Sequence, residues 1–422
     1  HILLFVVVVF INYPASKKLP PWFNVVLDAV LVIAAGLAFG YVIRDFATIQ
    51  MRIPFIHRVT DMQVILGLMA MAVVLEASRR LTGPIIPVLV VGIVVYGLMG
   101  SASVGTGRMT VQLLVEQMYL LSEGLFGLPT SVSAKYIVLF VTLASLLSLA
   151  GMNNIMMALS LKVAKINKAA TIQVPVISSA LVGSVVGSST ANAVATGSIT
   201  IPLLKKLGFK PEFAAAIETC ASTGGLFMPP VMGAVAFIMS EFTGIPYITI
   251  AFHALFPALL FYGAVGFAVY LRAKRRNILD DLQPALLEEA LNKTGRHKAS
   301  DYLIVLPMVL LVYLLVTGRS PMMAASYAVV VGLVISQLKT GWSWRPQFFA
   351  DFIRNSALAS AAVIPTMACA GMIVTAISIT GLDSQLVFWI RQFSSNLYLG
   401  LLFAAMLSII LGLGMPIVAA YI

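Results

Sequence analysis

TIQVPVISSALVGSVVGSSTANAVATGSITIPLL, residues 171–204, lies between two lysine clusters and is polar in its middle, where a membrane-crossing helix is most apolar. Lys162, Lys165 and Lys168 precede it; Lys205, Lys206 and Lys210 follow. One continuous helix over 169–204 would be about 54 Å long, far beyond the roughly 30 Å of bilayer hydrocarbon. Setting aside the polar centre Ser188–Asn192 leaves arms of about 19 and 12 residues, and the second is too short to cross. Basic residues favour the cytoplasm, which places both ends on that side. The economical solution is a re-entrant hairpin that carries Gly187, Ser188, Ser189, Thr190, Ala191 and Asn192 to mid-membrane. Irregular backbone is tolerated at that depth only where it is buried in protein or lines a cavity.

Composition supports a chain that uses lipid as its solvent. Residues are 60% hydrophobic and 10% charged, with a mean hydropathy of +0.99, values a water-soluble fold does not reach. The net charge of +11 does not point to nucleic acid. Its basic residues sit in short clusters between apolar runs, and no basic groove with interleaved aromatics is present. The expected partner is the bilayer. Cys220 and Cys369 both lie in apolar segments and read as small buried hydrophobes, with no disulfide or metal framework. The chain begins at His1 inside an apolar run and stops at Ile422 inside a motif, so it is expected to lack both natural ends.

Hydropathy and punctuation predict an all-α polytopic membrane protein. Spans at 2–13, 24–43, 62–78 and 84–100 form a four-helix leading unit, 1–104. A second unit, 105–271, has an amphipathic stretch at 110–127, a span at 135–151 and a half-polar helix at 153–166. The hairpin 171–204, a broken helix at 212–240 and a span at 247–271 complete it. A hydrophilic linker, 272–300, is expected in the cytoplasm. A third unit, 301–422, has spans at 302–317 and 321–338, an amphipathic stretch at 347–360 and a span to about 380. A short helix at 384–395 and an apolar run to 411 end it. Of the 27 Lys and Arg, only Arg44, Arg52, Arg58, Arg108, Lys135, Arg319 and Arg391 fall outside in this topology. That bias is the positive-inside pattern. Gln112-Leu-Leu-Val-Glu-Gln-Met, Pro129 and Ser148-Leu-Ala-Gly151 recur as Gln347-Phe-Phe-Ala-Asp-Phe-Ile, Pro365 and Ser378-Ile-Thr-Gly381. The two copies run in opposite orientation, an inverted repeat with broken helices of the kind secondary transporters use.

Three clusters break the apolar pattern. In Gly187–Gly197, hydroxyls, a carboxamide and glycines supply hard neutral oxygens suited to Na⁺. The N-terminus of the second hairpin arm would also favour an anionic substrate. The competing reading is close helix packing through Gly183-xxx-Gly187. In Ser222-Thr223-Gly224-Gly225-Leu-Phe-Met228-Pro229-Pro230, two prolines remove backbone donors and leave carbonyls for a cation. The competing reading is a kink satisfied by neighbouring helices. The third cluster is Gly412-Leu-Gly414-Met415-Pro416, at the expected tip of a second hairpin. Glu218 lies two turns into the broken helix. An ion pair with Lys205 or Lys206 is favoured over a proton-coupling role. His253 reads as a hydrogen-bonded packing residue.

GSSTANAVATGSITIPLLKKLGFKPEFAAAIETCASTGGLFMPPVMGAVAFIM (187–239) resembles the large membrane subunit of tripartite ATP-independent periplasmic transporters, specifically the TAXI-type branch with fused small and large subunits. LGLGMPIVAAYI (411–422) is similar to that branch's second hairpin, and the similarity covers essentially the whole chain. The resemblance implies the ion-transporter-superfamily elevator fold, with the leading four helices as a fused small subunit. It implies a bacterial inner-membrane permease that imports an organic acid or amino acid handed over by a periplasmic binding protein. Na⁺ is then the coupling ion, and no organic cofactor is involved. By that likeness Ser188, Asn192, Gly197, Ser222, Gly225 and Met228 surround a first Na⁺, and Gly412 and Gly414 belong to a second. Ser189, Thr190, Pro229, Pro230, Met415 and Pro416 face the substrate.

Two other readings are open to the sequence. A stand-alone ion-coupled carboxylate symporter would need no binding protein, and the leading four-helix unit argues against it. An intramembrane hydrolase would need a nucleophile with a base, paired acids or metal ligands; Ser188 and Ser189 have only His253 as an internal histidine. The hairpin is testable by itself. Lys168→Cys and Lys205→Cys, each in a background lacking Cys220 and Cys369, should both react with an impermeant thiol reagent from the cytoplasmic side alone. Labelling from opposite sides would make 169–204 a through-going span.

Overall fold

The computed structural model of the chain describes residues 1–16, 20–100, 110–278, 288–289, 291–292, 298–339, 346–382, 384, 397–412 and 421. No strand occurs among them. In chain order the helices are α1 (Ile2–Asn12), α2 (Pro21–Arg44), α3 (Phe46–Gln50), α4 (Asp61–Thr82), α5 (Ile85–Gly100), α6 (Val111–Val115), α7 (Leu128–Val132), α8 (Val138–Leu149), α9 (Met152–Ala164) and α10 (Lys168–Ile172). They continue as α11 (Val174–Val186), α12 (Ser189–Lys206), α13 (Pro211–Gly224), α14 (Ala234–Thr243), α15 (Tyr247–Arg275), α16 (Leu306–Val316), α17 (Pro321–Lys339), α18 (Pro346–Ala361), α19 (Ile364–Thr380) and α20 (Leu397–Gly412).

Among the described residues, six stretches are long and apolar enough to cross a bilayer: Pro21–Arg44, Asp61–Thr82, Val111–Leu149, Tyr247–Arg275, Pro321–Leu338 and Pro346–Thr380. Long apolar side chains stay on their outer surfaces, such as Phe252, Phe256, Leu260 and Phe267 on α15, the arrangement lipid favours and water does not. The chain is an all-α polytopic membrane protein. Of the four leading spans expected from hydropathy, α2 and α4 are among these stretches, while α1 and α5 are shorter apolar helices. The helix expected at 384–395 lies outside the described residues.

The described residues group into two compact units, one of residues 1–134 with 357–422 and one of residues 135–356. In the first, α19 packs on α1, α4 and α5. α4 begins with a capping box, Thr60 with Gln63, and carries Asp61 in its first turn and Arg79 and Arg80 in its last, charges that complement the helix dipole. Glu76 does pair with both arginines, as its spacing suggests. Arg80 Nε meets Glu76 at 2.9 Å and its Nη1 meets Asp28 on α2 at 2.6 Å. The Arg52 guanidinium reaches Glu116 and Gln63, both at 3.2 Å, and Gln63 Nε2 donates to Tyr41 at 2.9 Å. Polar groups thus tie α2, α4 and the π-helical turn Glu116–Leu120 together.

The two repeated segments share backbone features as well as residues. Pro129 and Pro365 each sit at the second position of a helix, where the missing N–H has no intrahelical partner to lose. Gly151 (φ 92°) and Gly381 (φ 70°) end the two spans in the left-handed region, which a side chain would strain.

In the second unit, α11, α12 and α13 pack on one another, and α9 packs on α11. α11 has 13 residues and is about 20 Å long, too short to cross. It ends at Gly187 (φ 61°), and Ser188 caps α12, its hydroxyl accepting from Ala191 N–H at 3.4 Å. This is the helix–turn–helix expected for 171–204. α11 crosses the end of α13 at a glycine pair: a methyl on Gly183 would stand 2.6 Å from Gly225 Cα. The broken helix expected at 212–240 is α13 and α14, separated by residues 225–233.

Two departures from expectation concern single residues. Cys369 is buried, but Cys220 is exposed, because it lies two residues beyond Glu218 on the opposite face of α13. His253 donates from Nδ1 to Thr249 O at 2.7 Å but is exposed beside Phe252 instead of packed.

Two substitution pairs test this packing in thermal unfolding of the purified protein. Arg80, with 1% of its side chain exposed, should lower stability by roughly 3 kcal/mol when changed to Ala, since Asp28 loses its partner and Glu76 keeps only Arg79. Arg79→Ala, at 42% exposed, should cost under about 1 kcal/mol. Gly183→Ala should destabilise by about 1–3 kcal/mol through overpacking. Gly263→Ala, with nothing within 4 Å of the added methyl, should be neutral or slightly stabilising.

Candidate functional site

Three helices bring polar stripes to one place. Asn192, Thr196 and Thr200 recur every fourth residue on α12, as do Glu218 and Ser222 on α13, so each set lies on one face. Ser179 faces them from α11. All six are buried. Glu218, 2% exposed, accepts four hydroxyl protons. Ser179 and Ser222 donate to Oε1 at 3.0 and 3.1 Å, Thr196 donates to the same oxygen, and Thr200 donates to Oε2. The threonine hydroxyls also lie within reach of the carbonyls one turn back, Thr196 to Asn192 O at 2.8 Å and Thr200 to Thr196 O at 3.0 Å.

The ion pair favoured for Glu218 does not form. Lys206 pairs with Glu289 at 2.6 Å, and Lys205 is exposed at the end of α12. Both lie at least one turn beyond Thr200, roughly 7–9 Å along the axis. Glu218 points instead at the middle of the α11–α12 hairpin. Gly197 is the small residue that admits it: a methyl there would meet Glu218 Cγ at 3.2 Å.

Asn192 is fully buried. Its Nδ2 donates to Ser179 O at 2.9 Å and to Ser222 O at 3.4 Å, while its Oδ1 has no hydrogen-bond partner. A buried carboxamide oxygen without a donor is costly unless something else occupies its lone pairs. Gly225 closes the same spot, its added methyl falling 3.1 Å from Asn192 Nδ2. Asn192, Ser222 and Gly225 therefore come together, with Gly197 on the other side of Glu218. Ser188 stands at the hairpin tip, its hydroxyl 3.2 Å from that of Thr190, which is exposed. Ser189 is half-buried beside them. Met228 packs against the apolar core beneath the site, with Leu203, Ile217 and Tyr262.

The break at 225–233 is held by the hairpin and by α15. Val231 N–H donates to Ser184 O at 3.1 Å, and Gly233 N–H to Leu226 O at 2.7 Å. Gly187 abuts the Met232 carbonyl so closely that no side chain fits there. Pro229 and Pro230, joined by a cis peptide, are half-buried. The carbonyls of Pro230 and Val231 lie 2.8 and 2.6 Å from the Tyr247 hydroxyl, whose one proton is shared between them. These two carbonyls are satisfied by a neighbouring helix, the bland reading of the kink. Gly412 ends α20 in the other unit, and Gly414, Met415 and Pro416 lie outside the described residues.

Thr196 lies in the Gly187–Gly197 cluster that the sequence marks as polar, whereas Ser179, Thr200 and Tyr247 lie outside the three clusters. The fourfold spacing of Asn192, Thr196 and Thr200 was the available signal for the two threonines. Nothing in the sequence assigns Tyr247 to the break.

Comparison with known proteins places the chain. The family model described as tripartite ATP-independent periplasmic transporter, DctM component, matches residues 69–422. An uncharacterized protein, y4mL, of Sinorhizobium fredii is 24% identical over 239 residues, which is 56% of this chain and 55% of that protein. The chain thus spans about half the length of the curated relative it matches. A polytopic helical membrane protein whose buried polar groups converge between a helical hairpin and a broken helix agrees with that match, and the chain belongs to the DctM component family of tripartite ATP-independent periplasmic transporters.

Proposed function

We propose that this chain is the membrane permease of a Na⁺-coupled importer in the bacterial inner membrane, moving an organic acid or amino acid received from a periplasmic binding protein. The observation that carries the reading is the Asn192 Oδ1 atom, buried between α11, α12 and α13 with no donor. Its carboxamide lies among the Ser179 and Ser222 carbonyls and the close-packed backbone of Gly183 and Gly225, neutral oxygens of the type that suits a small monovalent cation. Ser222 gives its proton to Glu218, which leaves its lone pairs free to face an ion. The residues present fit Na⁺, with Asn192, Ser222 and Gly225 as the core of the site and Ser188, Gly197 and Met228 around it. Ser189, Thr190, Pro229 and Pro230, at the hairpin tip and the facing break, are the substrate-side residues. Gly412, Gly414, Met415 and Pro416 would serve the same ends in the second repeat.

TAXI-type organisation, with residues 1–104 as a fused small subunit, is part of the proposal. So are the inverted repeats 105–271 and 301–422, and an elevator movement of the hairpin-bearing part. The family match begins at residue 69, inside α4, and so marks no boundary at 104. Membership of a transporter family accords with a chain that is not an enzyme.

The decisive experiment is uptake into proteoliposomes holding the full-length protein and its binding protein. An inward Na⁺ gradient should drive accumulation, and replacing Na⁺ by K⁺ or choline at constant pH should abolish it. Asn192→Ala should reduce uptake to background while expression and insertion stay normal. Val194→Ala, on the same helix but 77% exposed, should be close to wild type. Equal uptake without Na⁺ would overturn the coupling assignment.

A further inference from the structure

Glu218 is a buried carboxylate without a cation, and that is an unstable electrostatic arrangement. The ion pairs among the described residues lie elsewhere, and no His, Cys, Asp or Glu cluster surrounds it. Four hydroxyl donors solvate the group, each a charge-assisted bond. Hydroxyls spread the charge but do not cancel it, and a net negative charge surrounded by apolar helices is costly.

The same two residues that hold Glu218 also hold Asn192. Ser179 and Ser222 give their side-chain protons to Glu218 Oε1 and their backbone carbonyls to Asn192 Nδ2. The carboxylate and the unpartnered Asn192 Oδ1 are therefore opposite ends of one buried network. On one side is an acceptor lacking a cation; on the other is a negative charge lacking a counter-ion. Resting on the sodium reading above, we propose that Glu218 is the counter-charge of the Asn192 cation site, a positioning residue that sets its affinity through Ser179 and Ser222. A hydroxyl whose proton is committed to a carboxylate presents a more negative oxygen to a cation, so Ser222 transmits the charge directly. Thr196 and Thr200 hold the carboxylate on the hairpin side, and Gly197 leaves room for it. A neutral site would hold the ion by oxygen dipoles alone, whereas this one becomes electrically neutral only when the ion is bound.

The test measures ion binding apart from transport. Purified full-length protein is titrated with NaCl against choline chloride at constant ionic strength and pH, and the midpoint of thermal unfolding is followed. Wild type should be stabilised by Na⁺ in a saturable way. Glu218→Gln, which keeps the shape and loses the charge, should raise the half-saturating Na⁺ concentration by about tenfold or more. Its midpoint in choline should stay near wild type or rise, because a buried charge has been removed. Glu218→Asp, which keeps the charge but retracts it by one methylene, should stay nearer wild type than Glu218→Gln does, and Glu218→Met supplies the neutral comparison if Glu218→Gln does not accumulate. Unchanged half-saturation in Glu218→Gln, or in Glu218→Met in its place, would overturn the inference and leave the carboxylate with a packing role. Absence of any Na⁺-specific stabilisation in wild type would instead overturn the sodium reading itself, and this inference with it.

Discussion

Hydrogen-bond satisfaction in a medium without water governs the core of this protein. Every buried polar side chain on α11, α12 and α13 must find its partner on another helix or on the turn behind it, since lipid offers none. Glu218 imposes the strictest form of that demand. One carboxylate draws hydroxyls from all three helices, and by doing so fixes their rotation and their depth relative to each other. The hairpin is thereby held to α13 by a polar knot instead of by apolar contact alone, and Asn192 is carried to the crossing point.

Close backbone approach is the second requirement, and glycine meets it. Gly183 against Gly225, Gly187 against Met232 and Gly197 against Glu218 are positions where a single added methyl collides. Small residues are what allow helices to associate in lipid, where apolar side chains gain nothing by leaving the solvent. Here they serve the site as well: the α11–α13 contact is tight enough for Asn192 Nδ2 to bridge the carbonyls of both helices. Packing and ligand provision are therefore not rival explanations of the glycines. Each close contact removes space that a ligand-free polar cavity would need.

The unit formed by residues 1–134 and 357–422 solves the same problem with charge. Arg80 joins Glu76 and Asp28, and Arg52 joins Glu116 and Gln63, in networks with several hydrogen bonds each. Such networks lock α1–α4 and the segment after Thr110 into one frame. Its pairs are matched, positive with negative. The unit holding α11–α13 keeps a carboxylate, Glu218, that no cation among the described residues balances, and that contrast sets its polar network apart from the paired charges of the first unit.

The sequence by itself determined the all-helical membrane class, the helix–turn–helix with its turn at Gly187 and Ser188, and the break after Gly224. Hydropathy, lysine clusters and helix-breaking residues act locally, so their consequences can be read in order along the chain. That Asn192 and Ser222 interrupt apolar segments with polar groups was legible for the same reason, and both are buried. Only the tertiary structure decided who partners whom. Glu218 lies 18 residues from Thr200 and 39 from Ser179, and the lysines expected to pair with it, Lys205 and Lys206, are exposed at the end of α12. Tyr247 reaches the carbonyls of Pro230 and Val231 only because α15 folds back beside the break. Cys220 is exposed because α13 turns outward the face opposite Glu218. Side-chain partnership depends on helix rotation and crossing, and those are set by packing between segments that the linear pattern does not relate.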